Sequence, residues 1–251
     1  MPEGPAPVDW EGRALDCASC RFRMRLDLGQ CGLGWSCLND RYAKRIERFF
    51  LLNPELADEN LNHPYFETRV NAARHASVFR IPRLLDDPDP AVRAMAILRL
   101  PQAAAEKLIH DPDRAVRIAV AHRLPPASLI PLMHDVEPSV RLVVARRAPD
   151  GVLPGLIDDP DPSVRRIVVN RIPPDWIDRF RRDPDPLVRR AAAHRRPMLF
   201  VEDEDIRVRH AAAEEGCEKV LARLLDDPED IIRETARARL AKLEGSADVD
   251  R

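Results

Sequence analysis

The stretch DDPDPAVRAMAILRLP, residues 86–101, decides the fold of this 251-residue chain, because closely similar stretches follow it at intervals of 24 residues. The copies are HDPDRAVRIAVAHRLP from His110, HDVEPSVRLVVARRAP from His134, DDPDPSVRRIVVNRIP from Asp158 and RDPDPLVRRAAAHRRP from Arg182. A repeat of this length is typical of stacked arrays, since one unit cannot bury its own apolar face. We therefore predict an all-α repeat solenoid and not a single closed core.

Each position of the repeat has a physical interpretation when the copies are aligned on the valine of their Val-Arg pair, Val92 in the copy at 86–101. Asp87, five positions earlier, is predicted to cap the helix, and Pro88 fits the first helical position, where its missing N–H costs nothing. Apolar residues three to five positions after the valine form one buried face. Arg99 suits the last turn, and Pro101 stops the helix. Each repeat is thus predicted to hold one helix of about twelve residues, roughly 18 Å long.

The residues that remain in each repeat leave room for one short 3₁₀- or α-helix, because such segments are normally three or four residues long. A weaker copy begins at Pro64, a later copy is four residues shorter, and a last copy contains Ile232-Arg233. We predict eight units over residues 61–243, followed by a disordered polar tail at 244–251. Val136 and Glu204 replace the proline after the capping acid, which puts the start of those two helices in doubt.

Residues 1–60 lack the repeat and are predicted to form a separate small module. Its last part, RYAKRIERFFLLN at 41–53, has the pattern of an amphipathic helix and is predicted to cover the first repeat. The earlier part holds four of the five cysteines. A module this short needs a further source of stability, and a bound metal can supply it.

The four cysteines, Cys17, Cys20, Cys31 and Cys37, have the spacing C-x2-C-x10-C-x5-C. Glycines at 29, 32 and 34 permit the bent backbone that brings them together. Structural zinc sites with four thiolates usually use two C-x2-C pairs, and only the first pair has that form here. The wider gaps suit the reach around an iron–sulfur cluster, so the spacing favours iron–sulfur and leaves zinc as the alternative.

The overall composition points away from polyanions and membranes. The formal net charge is -2 although 33% of the residues are charged, so no global excess attracts nucleic acid or anionic lipid. No secretory signal and no apolar run of the roughly 18–20 residues that span a bilayer are found. We expect a cytoplasmic protein, in which clustered cysteines bind a metal more often than they form disulfides. No catalytic motif is present, and no catalytic residues are predicted.

Histidines, one further cysteine and a set of arginines are weaker candidates. His110 and His134 share one repeat position, and His122 and His194 share another. Equivalent histidines are therefore separated by about 10 Å for each repeat and cannot converge on one metal. Cys217 stands alone and is interpreted as an inert thiol. The arginines after the valine position are predicted to pair with neighbouring capping acids, with a phosphate-binding stripe as the alternative. They are Arg69, Arg93, Arg117, Arg141, Arg165, Arg189, Arg209 and Arg233.

A four-cysteine motif followed by DPDPxVRxxxAxR repeats resembles the leucine-rich repeat variant (LRV) proteins, and the resemblance extends over most of the chain. It implies a right-handed superhelix of alternating α- and 3₁₀-helices with a [4Fe–4S] cluster in the N-terminal module. By position, the implied ligands are Cys17, Cys20, Cys31 and Cys37. The resemblance also implies a link to bacterial nitrogen-fixation gene neighbourhoods.

These observations lead to an expected function. We expect an iron–sulfur protein whose solenoid contacts a protein partner and whose cluster transfers electrons, senses redox state or fastens the end of the array. The alternative is a HEAT-like nucleic-acid-binding solenoid with a structural zinc or iron–sulfur site. The near-neutral charge argues against nucleic acid, and HEAT units are longer, at about 40 residues with two full helices.

Overall fold

The computed structural model describes residues 4–247, and within this range the regular elements are α- and 3₁₀-helices. No strand occurs among these residues, which contain two isolated β-bridges. The described chain divides between Pro125 and Pro126 into two compact units. The first unit contains the cysteine segment and the first repeats, so the predicted boundary after residue 60 lies inside it.

The cysteine segment contains two α-helices, α1 (Arg23–Asp27) and α2 (Ala43–Leu52). Helix α2 corresponds to the predicted amphipathic helix and buries Phe49 and Phe50. It packs against α3 (Phe66–His75), the first long helix of the repeats. The Phe50 ring stacks on His75 at 6.4 Å between ring centroids, so α2 covers the first repeat as its pattern predicts.

The long helices of the repeats begin at equivalent positions and, apart from the last, have ten residues. Their valine position is completely buried wherever valine or isoleucine occupies it, from Val92 to Ile232. Each long helix packs against the next long helix of the same unit. In chain order the remaining α-helices are α4 (Pro90–Arg99), α5 (Gln102–Ala105), α6 (Arg114–Arg123), α7 (Pro138–Arg147), α8 (Pro162–Arg171), α9 (Pro186–Arg195), α10 (Ile206–Glu215), α11 (Glu218–Leu224) and α12 (Asp230–Ala247).

Short helices alternate with the long ones, as the spacing predicts. Most are 3₁₀-helices, and the short α-helices α5 and α11 occupy two of the connections. In the shortened copy the connecting 3₁₀-helix has only four residues. The 3₁₀-helices are Pro54–Leu56, Asp58–Asn60, Val78–Asp86, Glu106–Leu108, Pro126–Leu132, Asp150–Leu156, Pro174–Phe180 and Pro197–Phe200.

The long helices begin two residues later than predicted, and the predicted capping residues were wrong. The side chain that accepts the backbone N–H of Ala91 is that of Asp89, at 2.9 Å, and Pro90 is the first helical residue. Asp87 is instead occupied by Arg69 and by the backbone N–H of Asp89. Because the helices start after the positions of Val136 and Glu204, those departures leave the starts of α7 and α10 unchanged.

The arginine at the end of a long helix contacts backbone carbonyls of the preceding repeat. Arg171 donates from Nη1 to the carbonyl oxygen of Ala145 at 2.8 Å and from Nη2 to that of Ala148 at 2.7 Å. Arg195 makes the equivalent contacts with Val169 and Ile172. The last carbonyls of a helix lack intrahelical partners, so these cations satisfy them from the neighbouring unit.

The C-terminal helix extends further than predicted. Helix α12 continues to Ala247, so residues 244–247 of the predicted disordered tail are helical. The rest of that tail, 248–251, lies outside the described residues. None of the helices in the described range is both long enough and apolar enough to cross a bilayer.

Candidate metal centre

The structure brings the four predicted cysteines of the first unit around one small pocket. All four are free thiols, and each is partly buried. In residues 4–247, no three His, Cys, Asp or Glu side chains lie close enough together to hold one metal ion. The pocket is lined by Cys17, Cys20, Cys31 and Cys37, by the apolar side chains of Phe22, Leu26, Leu38 and Phe49, and by Arg23, Gly32, Ser36 and Asn39.

A tight turn between the third and fourth cysteines explains the glycines of this segment. The backbones of Gly32 and Ser36 exchange two N–H to carbonyl hydrogen bonds, of 2.7 and 3.1 Å. Gly34 has a φ of +79°, a conformation that favours glycine. A Cβ at Gly32 would lie 2.2 Å from Nε1 of Trp35. The turn therefore excludes side chains at two positions, in agreement with the prediction.

Hydrogen-bond donors approach one of the sulfur atoms. The backbone N–H of Phe22 donates to Sγ of Cys20 at 3.5 Å, and Nδ2 of Asn39 approaches the same sulfur at 3.8 Å. Sγ of Cys31 lies 4.0 Å from the carbonyl oxygen of Phe22. N–H donors stabilise negative charge on sulfur, and around a metal they tune the ligand thiolate.

A buried ion pair that the sequence did not reveal holds the Cys37 loop against α2. Nη1 of Arg45 lies 2.9 Å from Oδ2 of Asp40, and the two side chains are 2% and 0% exposed. Oδ1 of Asp40 accepts the N–H of Tyr42, and the carbonyl oxygen of Arg45 accepts the N–H of Cys37. In the sequence these two residues resemble ordinary surface charges, because their pairing depends on how the loop folds back.

Two further polar side chains fix the backbone beside the cysteines. Asn53, at the C-terminal end of α2, donates from Nδ2 to the carbonyl oxygens of Phe49 and Gln30, at 2.8 and 3.1 Å. Gln30 directly precedes Cys31. The hydroxyl of Thr68 in α3 donates to the carbonyl oxygen of Leu38, next to Cys37, at 3.2 Å. An asparagine at the end of a predicted helical segment is a recognised end signal and was available in the sequence, whereas nothing there indicated the threonine.

The environment of the pocket disfavours free thiolates. Burial raises the pKa of Cys37 to about 12. The pKa values of Cys17 and Cys31 are also raised, first by burial and then by the neighbouring Cys20. A neighbouring cysteine thus adds to the effect of burial in opposing the ionisation of Cys17 and Cys31. Because metal ligation requires thiolates, a bound cationic group would compensate charges that this pocket otherwise excludes.

Six of the arginines after the valine position are paired with acids, with at most 13% of each arginine side chain exposed, which disfavours the alternative of a phosphate-binding stripe. Arg165 is typical: its Nε and Nη2 contact both carboxylate oxygens of Asp183 at 2.7 and 2.8 Å, one repeat further along the chain. The predicted pairing with acids is confirmed, with shortest distances of 2.7–2.8 Å. The pairs are Arg69–Asp87, Arg93–Asp111, Arg141–Asp159, Arg165–Asp183, Arg189–Asp203 and Arg209–Asp227.

The repeat histidines and Cys217 do not line the cysteine pocket. The repeat histidines at 110, 122, 134 and 194 are exposed. Cys217 is exposed and precedes α11 in the second unit, so it lies outside the compact unit that holds the other cysteines.

Comparison with known proteins supports an iron–sulfur group in this pocket. Residues 7–59, which contain all four clustered cysteines, match the family described as "LRV protein FeS4 cluster". This match indicates an iron–sulfur cluster and disfavours the zinc alternative. A curated relative, an uncharacterized 27.7 kDa protein in the nifB 3' region of Rhodobacter capsulatus, is 78% identical over 106 residues. The aligned segment covers 42% of this chain and 43% of that relative.

The fold also matches a solved structure, that of a leucine-rich repeat variant with a novel repetitive structural motif. The TM-score is 0.81 and the sequence identity 36%, with 90% of this chain and 98% of the other covered. Together with the alternating α- and 3₁₀-helices, this match confirms the predicted fold class. The chain therefore belongs to the leucine-rich repeat variant proteins and is an iron–sulfur-binding repeat protein.

Proposed function

We propose that this protein binds a [4Fe–4S] cluster through Cys17, Cys20, Cys31 and Cys37, and that it transfers electrons to or from a protein partner. The observation that carries the proposal is the arrangement of four thiols around one apolar-walled pocket. A four-iron cluster takes one cysteine per iron, and four cysteines line this pocket.

The surroundings of the pocket fit such a group. Phe22, Leu38 and Phe49 supply a wall of low polarity, and donors to the sulfur of Cys20 are in place. When bound, a [4Fe–4S] cluster supplies one-electron transfer at a potential that depends on hydrogen bonds to its sulfurs and on solvent exposure. The protein's own residues hold the ligands in position, limit water and leave one side of the pocket near the surface.

The comparisons give the proposal a cellular context. The Rhodobacter capsulatus relative is named as a protein in the nifB 3' region. On this ground we assign this chain a role associated with bacterial nitrogen fixation. Nitrogen reduction consumes electrons, so an electron-transfer protein fits this context. We place the protein in the cytoplasm, with the repeats available to a protein partner.

The metal content tests the first part of the proposal. Chain purified without oxygen should contain about four irons and about four acid-labile sulfides. Stoichiometric zinc in place of iron would overturn the cluster assignment.

The redox role is tested with cysteine variants. The loaded wild type should show a reversible one-electron signal in an electron paramagnetic resonance titration. Cys31→Ala should lose the signal and keep the helicity of the repeats in far-ultraviolet circular dichroism, because the long helices have their own packing. Cys217→Ala, an exposed thiol far along the chain, is the control and should retain the signal. Loss of all helicity in Cys31→Ala would assign the cluster a structural task. A loaded wild type that cannot be reversibly reduced would overturn electron transfer.

A further inference from the structure

We propose that Asn39 is the positioning residue that sets the reduction potential of the cysteine site, through a hydrogen bond from its side-chain amide to the sulfur of Cys20. This inference rests on the proposed electron-transfer function and adds the residue that regulates it. Asn39 is partly buried and lines the same pocket as the four cysteines. Its Nδ2 atom lies 3.8 Å from Sγ of Cys20, a distance at which an N–H donates to sulfur.

Asn39 joins the two ends of the cysteine motif. Cys20 completes the C-x2-C pair, and Asn39 follows Cys37, the last cysteine of the motif, by two residues. The backbone N–H of Asn39 donates to the sulfur of Cys37, where it opposes the rise in pKa that burial causes. The residue thus presents its backbone to one sulfur and its side chain to another. A substitution that removes the side-chain amide therefore leaves the backbone contact in place.

The loop that carries Asn39 is fixed on both sides of this residue. Leu38 is almost completely buried, and its carbonyl oxygen accepts the hydroxyl of Thr68 at 3.2 Å. Asp40 is also buried and pairs with Arg45. Residues that are held in this way orient and tune the ligands they contact. The amide of Asn39 is therefore in position before any charge develops on the sulfur.

The sulfur of Cys20 receives one N–H group from the backbone and one from a side chain. The backbone N–H of Phe22 donates at 3.5 Å, and any residue other than proline at that position could supply the same group. The amide of Asn39 depends on the side chain, so it is the donor that substitutions can change. Arg23 also lines the pocket, but it is exposed to solvent, which screens its charge.

The sign of the effect follows from the charge that reduction adds. One electron passes from a reduced protein partner, which is oxidised, and the ligand sulfurs share the added negative charge. An N–H donor to sulfur stabilises negative charge, so it favours the reduced state more than the oxidised state. The amide of Asn39 therefore raises the reduction potential, and its loss lowers that potential.

The test compares the reduction potentials of four cluster-loaded, full-length proteins at an electrode without oxygen. They are the wild type, Asn39→Leu, Asn39→Asp and Ser36→Ala. Leucine is similar to asparagine in size but has no side-chain N–H, and aspartate also places a negative charge beside Cys20. Ser36 is the matched control, because it lines the same pocket while its hydroxyl donates to the carbonyl oxygen of Gln30 at 3.4 Å. Iron content and far-ultraviolet circular dichroism verify that each protein is loaded and folded.

We expect Asn39→Leu to lower the equilibrium constant for one-electron reduction about threefold to tenfold, and tenfold corresponds to about 59 mV. Asn39→Asp should lower it further, because it adds repulsion to the loss of a donor. Ser36→Ala should change it less than about twofold, since the hydrogen bond it loses is to a neutral carbonyl. Resonance Raman spectra of the oxidised proteins give a second readout. The iron–sulfur stretching bands should shift in Asn39→Leu and stay unchanged in Ser36→Ala.

Equal potentials in the wild type and Asn39→Leu would overturn the proposal, and so would equal shifts in Asn39→Leu and Ser36→Ala. It is also overturned if both Asn39 variants lose iron while Ser36→Ala retains it, because Asn39 would then hold the site together without regulating it. The Raman spectra separate this inference from the electron-transfer function. Unchanged bands beside a reversible wild type contradict the role of Asn39 alone. Shifted bands in proteins that cannot be reversibly reduced contradict electron transfer and support the contact with Cys20.

Discussion

Replacing Arg165 with methionine should destabilise the repeat array far more than replacing its neighbour Arg166. Arg165 donates two hydrogen bonds to the carboxylate of Asp183, and Nη1 contacts the carbonyl oxygen of Asp159 at 2.8 Å. The two side chains of the pair are 10% and 5% exposed. Arg166 stands beside it in α8 and is exposed to solvent.

The magnitude follows from what the substitution leaves behind. Methionine keeps much of the aliphatic length but removes the cation, so Asp183 stays buried with the N–H of Asp185 as its remaining donor in this network. Breaking a buried ion pair by removing one partner costs about 3–5 kcal/mol. A surface substitution such as Arg166→Met costs about 0.5 kcal/mol or less.

The assay is urea unfolding followed by circular dichroism, with the free energy of unfolding compared among five proteins. These are the wild type, Arg165→Met, Arg166→Met, Asp183→Asn and the double variant Arg165→Met with Asp183→Asn. The double variant should cost less than the sum of its single changes, by roughly 0.5–3 kcal/mol, because the uncompensated charge is gone. A cost below about 1 kcal/mol for Arg165→Met would refute the reasoning, since surface ion pairs are worth that much. Additive costs in the double variant would refute it as well.

Three further predictions concern the pocket and the dependence on pH. Phe49→Ala removes a pocket wall and should lower the free energy of unfolding by about 3–5 kcal/mol in urea titrations, with reduced iron content. Gly32→Ala should reduce iron loading, because the added Cβ would lie 2.2 Å from Nε1 of Trp35. The control is Gly151→Ala, whose added Cβ has no other atom within 4 Å, and this variant should load iron normally. Equal iron loading in the two variants would contradict this prediction. Burial raises the pKa of Asp111, but hydrogen bonds from Arg93 contribute to a net lowering. The stability it supplies is therefore present above the ordinary carboxyl pKa and lost as the pH falls below about 4, so acid unfolding of Asp111→Asn should depend less on pH than that of the wild type.

The repeat could be predicted because the residues that begin, bury and end each helix lie close together in the sequence and recur in every copy. The valine position is buried in every copy that has it, from Val92 onwards, since an apolar residue at helical spacing needs a covering neighbour. The prolines and acids also marked each helix start to within two residues. The error lay in Asp87 and Pro88, because two acids in every DPDP segment suit a cap equally well. Only the arginine of the preceding repeat, which occupies the earlier acid, determines that the later one caps the helix.

The cysteine site, too, was determined partly by the sequence and partly by the tertiary structure. The sequence by itself determined the four thiols and the glycines of the turn between them, because ligand spacing and backbone freedom are local properties. The tertiary structure decided what supports the site: the Asp40–Arg45 pair, the Thr68 contact with the Cys37 loop and the approach of Asn39 to the sulfur of Cys20. These depend on segments far apart in the chain coming together. The spacing of residues in the sequence does not indicate which charges become buried or which apolar side chains are left facing solvent.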